Sequence, residues 1–241
     1  IAAYCAVNCY ALISGYVGIY SGYKYQNIIL LWLRVVFYTL SLTLLFSILI
    51  PETVSFKDWM KALLPVTGGY YWYFSAYFAL FFFVPLLNTA MNNLTQRQHR
   101  ALVIGLILVF SCIQTLFCRE IFGTSSNAWW LMILYIIGGY IRKYGLFRNS
   151  GAAKMFEGYV AIITVTWLSK IVIESGIFPF LRILDGKYLV SNTSITILLS
   201  GIFLVLMFER IHFSSSAVKM IGFFSPMAFS VYIIHAHPFM W

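Results

Sequence analysis

The stretch Gly69-YYWYFSAYFALFFFVPLLNTA-Met91 decides the fold, because it lies inside a run from Ala62 to Gln96 that contains no Asp, Glu, Lys or Arg. An apolar run of about 20 residues crosses the roughly 30 Å hydrocarbon core as a helix. Outward from it the same feature recurs: Ile1 to Tyr23, Ala101 to Cys118, Ile121 to Ile141, Tyr188 to Phe208 and Met220 to Trp241 are equally free of these residues. The chain of 241 residues is 61% hydrophobic and only 10% charged, against about 25% charged in soluble domains. A soluble enzyme, a nucleic-acid-binding domain and a disulfide-stapled secreted module are excluded.

Hydropathy read against charge predicts an all-α, polytopic helix bundle of eight spans: Ile1 to Tyr20, Ile29 to Ile50, Gly69 to Met91, Ala101 to Phe117, Asn127 to Ile141, Gly158 to Phe178, Ser194 to Phe208 and Met220 to Pro238. The sixth carries Lys170 and Glu174, at the i, i+4 spacing of a neutralising pair, and is expected either inside the bundle or against a wet cavity. Between the second and third spans, Phe56, Trp59, Met60, Leu63 and Leu64 alternate with Glu52, Lys57, Asp58 and Lys61, the pattern of a short interfacial amphipathic helix.

The net charge of +9 sits in the short connections, so it is read as topology rather than as affinity for nucleic acid. Connections after the odd-numbered spans hold nine basic residues: Lys24, Arg97, Arg100, Arg142, Lys143, Arg148, Lys154, Arg210 and Lys219. The opposite side holds five: Lys57, Lys61, Arg119, Arg182 and Lys187. The asymmetry predicts that Ile1 and Trp241 both lie outside, with Tyr70 to Tyr73 and the pair Trp129, Trp130 as aromatic belts at outer ends. Cys5, Cys9, Cys112 and Cys118 show no metal-ligand or CxxC spacing and read as buried thiols. His235 and His237 stand two apart, point different ways on a helix and have no carboxylate near them in sequence, so no metal site is expected. No nucleophile elbow of the G-x-S-x-G type occurs.

Five stretches in order resemble one family: VNCYALISGY from Val7 to Tyr16, LWLRVVFY from Leu31 to Tyr38, YWYFSAY from Tyr71 to Tyr77 leading to VPLLN from Val84 to Asn88, GGYIRKY from Gly138 to Tyr144, and FSVYIIH from Phe229 to His235. Together they are similar to the integral membrane acyltransferase 3 family, and within it to bacterial exopolysaccharide O-acetyltransferases. The resemblance implies one membrane-embedded acyltransferase domain over residues 1–241, expected to be truncated at both ends and to show eight of ten helices. It implies transfer of an acyl group, usually acetyl, from cytoplasmic acyl-CoA to a hydroxyl of a cell-surface polysaccharide or its lipid-linked precursor, in the bacterial cytoplasmic membrane. Acyl-CoA is then a cosubstrate, and no metal is called for.

The catalytic histidine implied by the family follows an arginine by eleven residues in a helix expected upstream of Ile1, so none is assigned here. Many members carry two arginines three residues apart in the third helix, whereas Arg34 has Leu31 and Phe37 at those positions. Arg34 is nevertheless the first candidate for acyl-CoA, because its planar fork matches phosphate oxygens and it lies near the expected cytoplasmic end of its span. The alternative is a snorkelling residue that fixes topology. Ser14, Gly15 and Tyr16 form a candidate wall of the acyl-CoA entrance or a helix-packing surface. Tyr73, Tyr77 and His235 are candidates for the acceptor path. A transporter or flippase for a lipid-linked saccharide is the alternative function, although no internal repeat is found.

Overall fold

The computed structural model describes residues 2–117, 127–175 and 189–240. Every regular element among them is helical: a 3-10 turn Ala2–Cys5, α1 (Ala6–Gly18), α2 (Tyr25–Leu49), a 3-10 turn Pro51–Thr53, α3 (Phe56–Leu63), α4 (Trp72–Asn93), α5 (Gln96–Ile107) running through a π-helical stretch Leu108–Ile113 into α6 (Gln114–Leu116), α7 (Ala128–Tyr144), α8 (Ala152–Glu174), α9 (Ile195–Glu209), α10 (Ser215–His235) and a last turn Pro238–Met240. Each of the eight expected apolar runs holds a helix among the described residues. Five of the described helices are long and apolar enough to cross a membrane: α2, α4, α5 with its continuation, α8 and α10. Cys118, Arg119, Arg182, Lys187, Ile1 and Trp241 lie outside the described residues.

Local sequence explains where helices begin and end. Ile50 precedes Pro51, which disfavours helical backbone at the residue before it, and α2 stops at Leu49. Ser55 and Asp58 form a capping box on α3, with the Ser55 N–H and hydroxyl both donating to Asp58 Oδ2, at 3.0 and 2.7 Å. Phe56, Met60 and Leu63 are exposed, Ala62 is buried, and the Ala62 carbonyl accepts from Thr39 Oγ1 at 2.8 Å. The short helix expected from the charge alternation is therefore present and is tied to α2. Asn127 caps α7 by accepting from the Trp129 N–H at 3.1 Å, and Gly145 ends that helix with φ of 72°, where glycine meets no steric penalty.

The chain divides into two compact units, one comprising Ile1–Gly22 and Phe82–Ile211, the other Tyr23–Phe81 and His212–Trp241. In the first, α7 is buried along nearly its whole length, as expected for a helix apolar on all sides. Helix α1 lies against α7 and α9, and α8 lies against α9. A Cβ on Gly15 would overlap the Tyr135 carbonyl, and one on Gly138 the Leu12 carbonyl, so the two backbones touch where both helices carry glycine. Asn8 is fully buried and is satisfied at both ends: its amide donates to the Asn192 carbonyl at 2.9 Å, and its oxygen accepts from the Trp130 indole at 3.0 Å. Tyr135 donates to Asn88 Oδ1 at 2.9 Å, and the Asn88 amide donates to the Gly18 carbonyl at 2.9 Å. In the second unit Val35, Tyr71, Phe74 and Ile233 form the core.

Two expectations are corrected. Trp130 and Tyr71 are buried, at 1% and 0% exposure, so only their exposed neighbours Trp129 and Trp72 suit a belt; Trp130 turns inward because Asn8 takes its N–H. Of the two placements expected for α8, inside the bundle or against a cavity, the first does not hold: only 6% of its apolar window is buried. Lys170 and Glu174 do pair, at 3.6 Å, on its exposed surface.

If α1 and α7 dock through their glycines, Gly15→Val and Gly138→Val will each sharply lower the yield of monodisperse protein in detergent and lower Tm. Gly22→Ala, where no atom lies within 4 Å of the added carbon, will leave both unchanged.

Candidate functional site

Helix α1 presents one face to α7 and another to a cavity of about 640 Å³ within the first unit, inside the range of ligand pockets. Cys5, Ala6, Cys9, Tyr10, Ile13 and Tyr16 line it from the N-terminal turn and α1, Tyr159 from α8, and Leu204, Val205, Phe208 and Glu209 from α9. The i, i+3, i+7, i+10 spacing of Ala6, Cys9, Ile13 and Tyr16 is that of one helical face. The lining is apolar except where Tyr16 meets Glu209. There the Tyr16 hydroxyl donates to Glu209 Oε1 at 2.9 Å and accepts from Arg142 Nη1 at 3.2 Å. The Arg142 guanidinium also stands 5.0 Å from the centre of the Tyr16 ring, within cation–π range. Arg210, 3.9 Å from Glu209, donates to the Leu206 carbonyl at 2.7 Å and to that of Leu146, which fixes the end of α9. An acid, a phenol and a guanidinium thus gather beside an apolar cavity.

Of the three α1 candidates, Tyr16 lines this cavity. Ser14 donates back to the Tyr10 carbonyl at 2.8 Å, and Gly15 faces Tyr135 of α7. Sequence reasoning missed Glu209 and Tyr159. The available signal for Glu209 was its position as the acid that ends the charge-free run from Tyr188 to Phe208. Cys5, Cys9 and Cys112 are not joined in disulfides, and Cys9 donates weakly to the Gly201 carbonyl at 3.8 Å. Among the described residues, no group of three metal-ligating side chains assembles.

Arg34, Tyr73, Tyr77 and His235 belong to the second unit. Arg34 is exposed, on a side of α2 that also exposes Leu30, Leu33 and Phe37, and no described residue pairs with it. Tyr73 stacks on Tyr77, with centroids 6.3 Å apart, and meets Tyr232 edge-on at 6.2 Å. His235 is exposed, whereas His237, beyond the end of α10, is fully buried. The His237 ring lies parallel to Phe46 at 6.4 Å, 5.7 Å from Tyr70, 6.5 Å from Tyr71 and 5.2 Å from Phe239. Tyr70 donates to Asp58 Oδ1 at 2.8 Å. The Ser55 hydroxyl holds the Asp58 carboxyl below the usual carboxylate range, against the effect of partial burial. Burial pushes the His237 pKa down, opposed by the field of Asp58.

The class is therefore a multi-pass helical membrane protein with an open, largely apolar cavity lined in part by Tyr16 and Glu209. The family described as acyltransferase domain matches residues 1–241, and the chain belongs to this acyltransferase 3 family. It is a transferase enzyme. No curated protein and no solved structure matches it.

Because the folded pKa of His237 lies below its ordinary value of 6.5, the fold favours the neutral ring. Its contribution is fully present above that value and is lost as pH falls below it. Melting in detergent will show a lower Tm at acid pH than at neutral pH, and His237→Phe will reduce the difference.

Proposed function

We propose that the protein transfers an acyl group, normally acetyl, from cytoplasmic acyl-CoA to a hydroxyl of a cell-surface polysaccharide or its lipid-linked precursor, in the bacterial cytoplasmic membrane. The observation that carries this reading is the α1/α8/α9 cavity, joined to membership of the acyltransferase 3 family. Its volume of about 640 Å³ and largely apolar lining suit an acyl group, and Arg142 supplies a cation beside Tyr16. The basic asymmetry of the connections puts Tyr16 near the cytoplasmic side, from which an anionic CoA ester arrives. In the transfer, the acceptor oxygen attacks the thioester carbonyl, the C–O bond forms, the C–S bond breaks, and the hydroxyl proton leaves with the CoA thiol. Holding both reactants in place supplies much of the rate.

Arg34 is a separate candidate for the phosphate-bearing part of acyl-CoA. A charge-assisted hydrogen bond contributes roughly 1.5 to 3 kcal/mol, so Arg34→Ala is expected to weaken acetyl-CoA binding by about 10- to 150-fold. Arg34→Lys will recover part of that, because the charge survives and the bidentate fork does not. Unchanged affinity in Arg34→Ala discards this role. For the cavity, Ile13→Trp fills the space beside α9 and is expected to abolish binding of acetyl-CoA by folded protein. The reaction itself is tested by supplying radiolabelled acetyl-CoA to membranes carrying the full-length protein and following label into surface polysaccharide; label retained only in CoA or released as acetate contradicts the proposal.

A further inference from the structure

In the second unit the end of α2, the start of α4 and the end of α10 meet around two polar groups that have no partner among the described residues. The Tyr71 hydroxyl and His237 Nε2 are both buried, and neither makes a hydrogen bond there. His237 Nδ1 accepts from the Phe239 N–H at 3.3 Å. In a neutral imidazole that leaves the proton on Nε2, so two donors are held without acceptors. A buried donor left unmade costs roughly 1 to 3 kcal/mol; Tyr23, Thr43, His99 and Ser111 also hold buried polar atoms with no partner among the described residues, and Tyr71 and His237 are two such donors whose ring centres lie 6.5 Å apart.

The surroundings define what arrives. The surroundings are aromatic: Phe46 lies parallel to His237, Tyr70 meets it edge-on, Phe239 is tilted against it, and Tyr232 has its ring centre 6.1 Å from that of Tyr71. The nearby carboxylate, Asp58, is already engaged by Ser55 and Tyr70, and Lys61 stands 5.4 Å over the Tyr70 ring, so the local charge is balanced. Flat apolar faces with a few fixed donors and no net charge suit an uncharged polyhydroxylated ring.

We propose that Tyr71 and His237 form a hydroxyl-binding subsite for a neutral saccharide, the acceptor of the transfer. The assignment rests on the acceptor being a glycan, as proposed above, and it moves the acceptor histidine from the exposed His235 to the buried His237. By the basic asymmetry, the end of the unit that carries this subsite faces outward, where a cell-surface glycan is met.

The test uses the full-length protein in detergent and, as probes, neutral tetrasaccharides of glucose, galactose and N-acetylglucosamine, with binding followed by saturation-transfer NMR. Tyr71→Phe keeps the ring and removes only the hydroxyl, and is expected to weaken the bound saccharide roughly three- to tenfold. His237→Phe will weaken it by at least as much, and His237→Gln, which restores an N–H donor, will recover part of the loss. Melting and acetyl-CoA affinity are measured on each variant to show that it is folded. Loss in Tyr71→Phe and His237→Phe, with recovery in His237→Gln, supports the subsite. If the wild type binds a tetrasaccharide and the variants bind it equally well, the subsite is wrong while the glycan acceptor stands. If the wild type binds none of the probes, both fall.

Discussion

The backbone contact between α1 and α7 at Gly15 and Gly138 organises the first unit. Inside a membrane the lipid tails are as apolar as the side chains, so helices gain little from hiding hydrophobic surface and associate through close packing and hydrogen bonds. Two glycines facing each other's carbonyls allow an approach that any side chain would prevent. That approach sets the rest of α1: Asn8 comes within reach of Trp130, Gly18 within reach of Asn88, and Tyr16 beside Arg142. The face of α1 turned away from α7 is then free to line the cavity with α9.

Polar groups in this chain follow one economy. Asn8, Asn88 and Tyr135 sit in apolar surroundings and each finds a partner, because an unmet polar group is costly where no water can serve. Tyr16, Glu209 and Arg142 satisfy one another at the cavity's end, and charged Lys170 and Glu174 stay on the surface. Tyr71 and His237, like Tyr23, Thr43, His99 and Ser111, hold buried polar atoms with no partner among the described residues, and the aromatic surroundings of this pair are the reason to assign it a ligand.

The spans were legible because an apolar run of about 20 residues without a charge matches the thickness of a bilayer and exceeds what a soluble core needs. Burial was harder to read. Helices α7 and α8 look alike in hydropathy, yet α7 is enclosed and α8 is exposed, since lipid and protein interior favour the same side chains; the glycine pair at Gly138 and Gly139 was the available clue. The site was half legible. Tyr16 was found through its neighbours Ser14 and Gly15, which themselves pack or bond locally. Glu209 and Tyr159 come from helices far along the chain, and nothing in spacing links them to α1. The choice between His235 and His237 depended on where α10 ends: Pro238 disfavours helical backbone at the residue before it, the helix stops at His235, and the next histidine turns inward. The sequence pattern made both look like neighbours on one helix.

The most direct measurement is photolabelling of the full-length protein with a CoA thioester whose acyl chain carries a diazirine, followed by peptide mapping. Label is expected on α1 between Ala6 and Tyr16 and on α9 between Leu204 and Glu209, suppressed by excess acetyl-CoA. Label that spares both segments, or that acetyl-CoA fails to displace from them, would contradict the placement of the acyl group in the cavity.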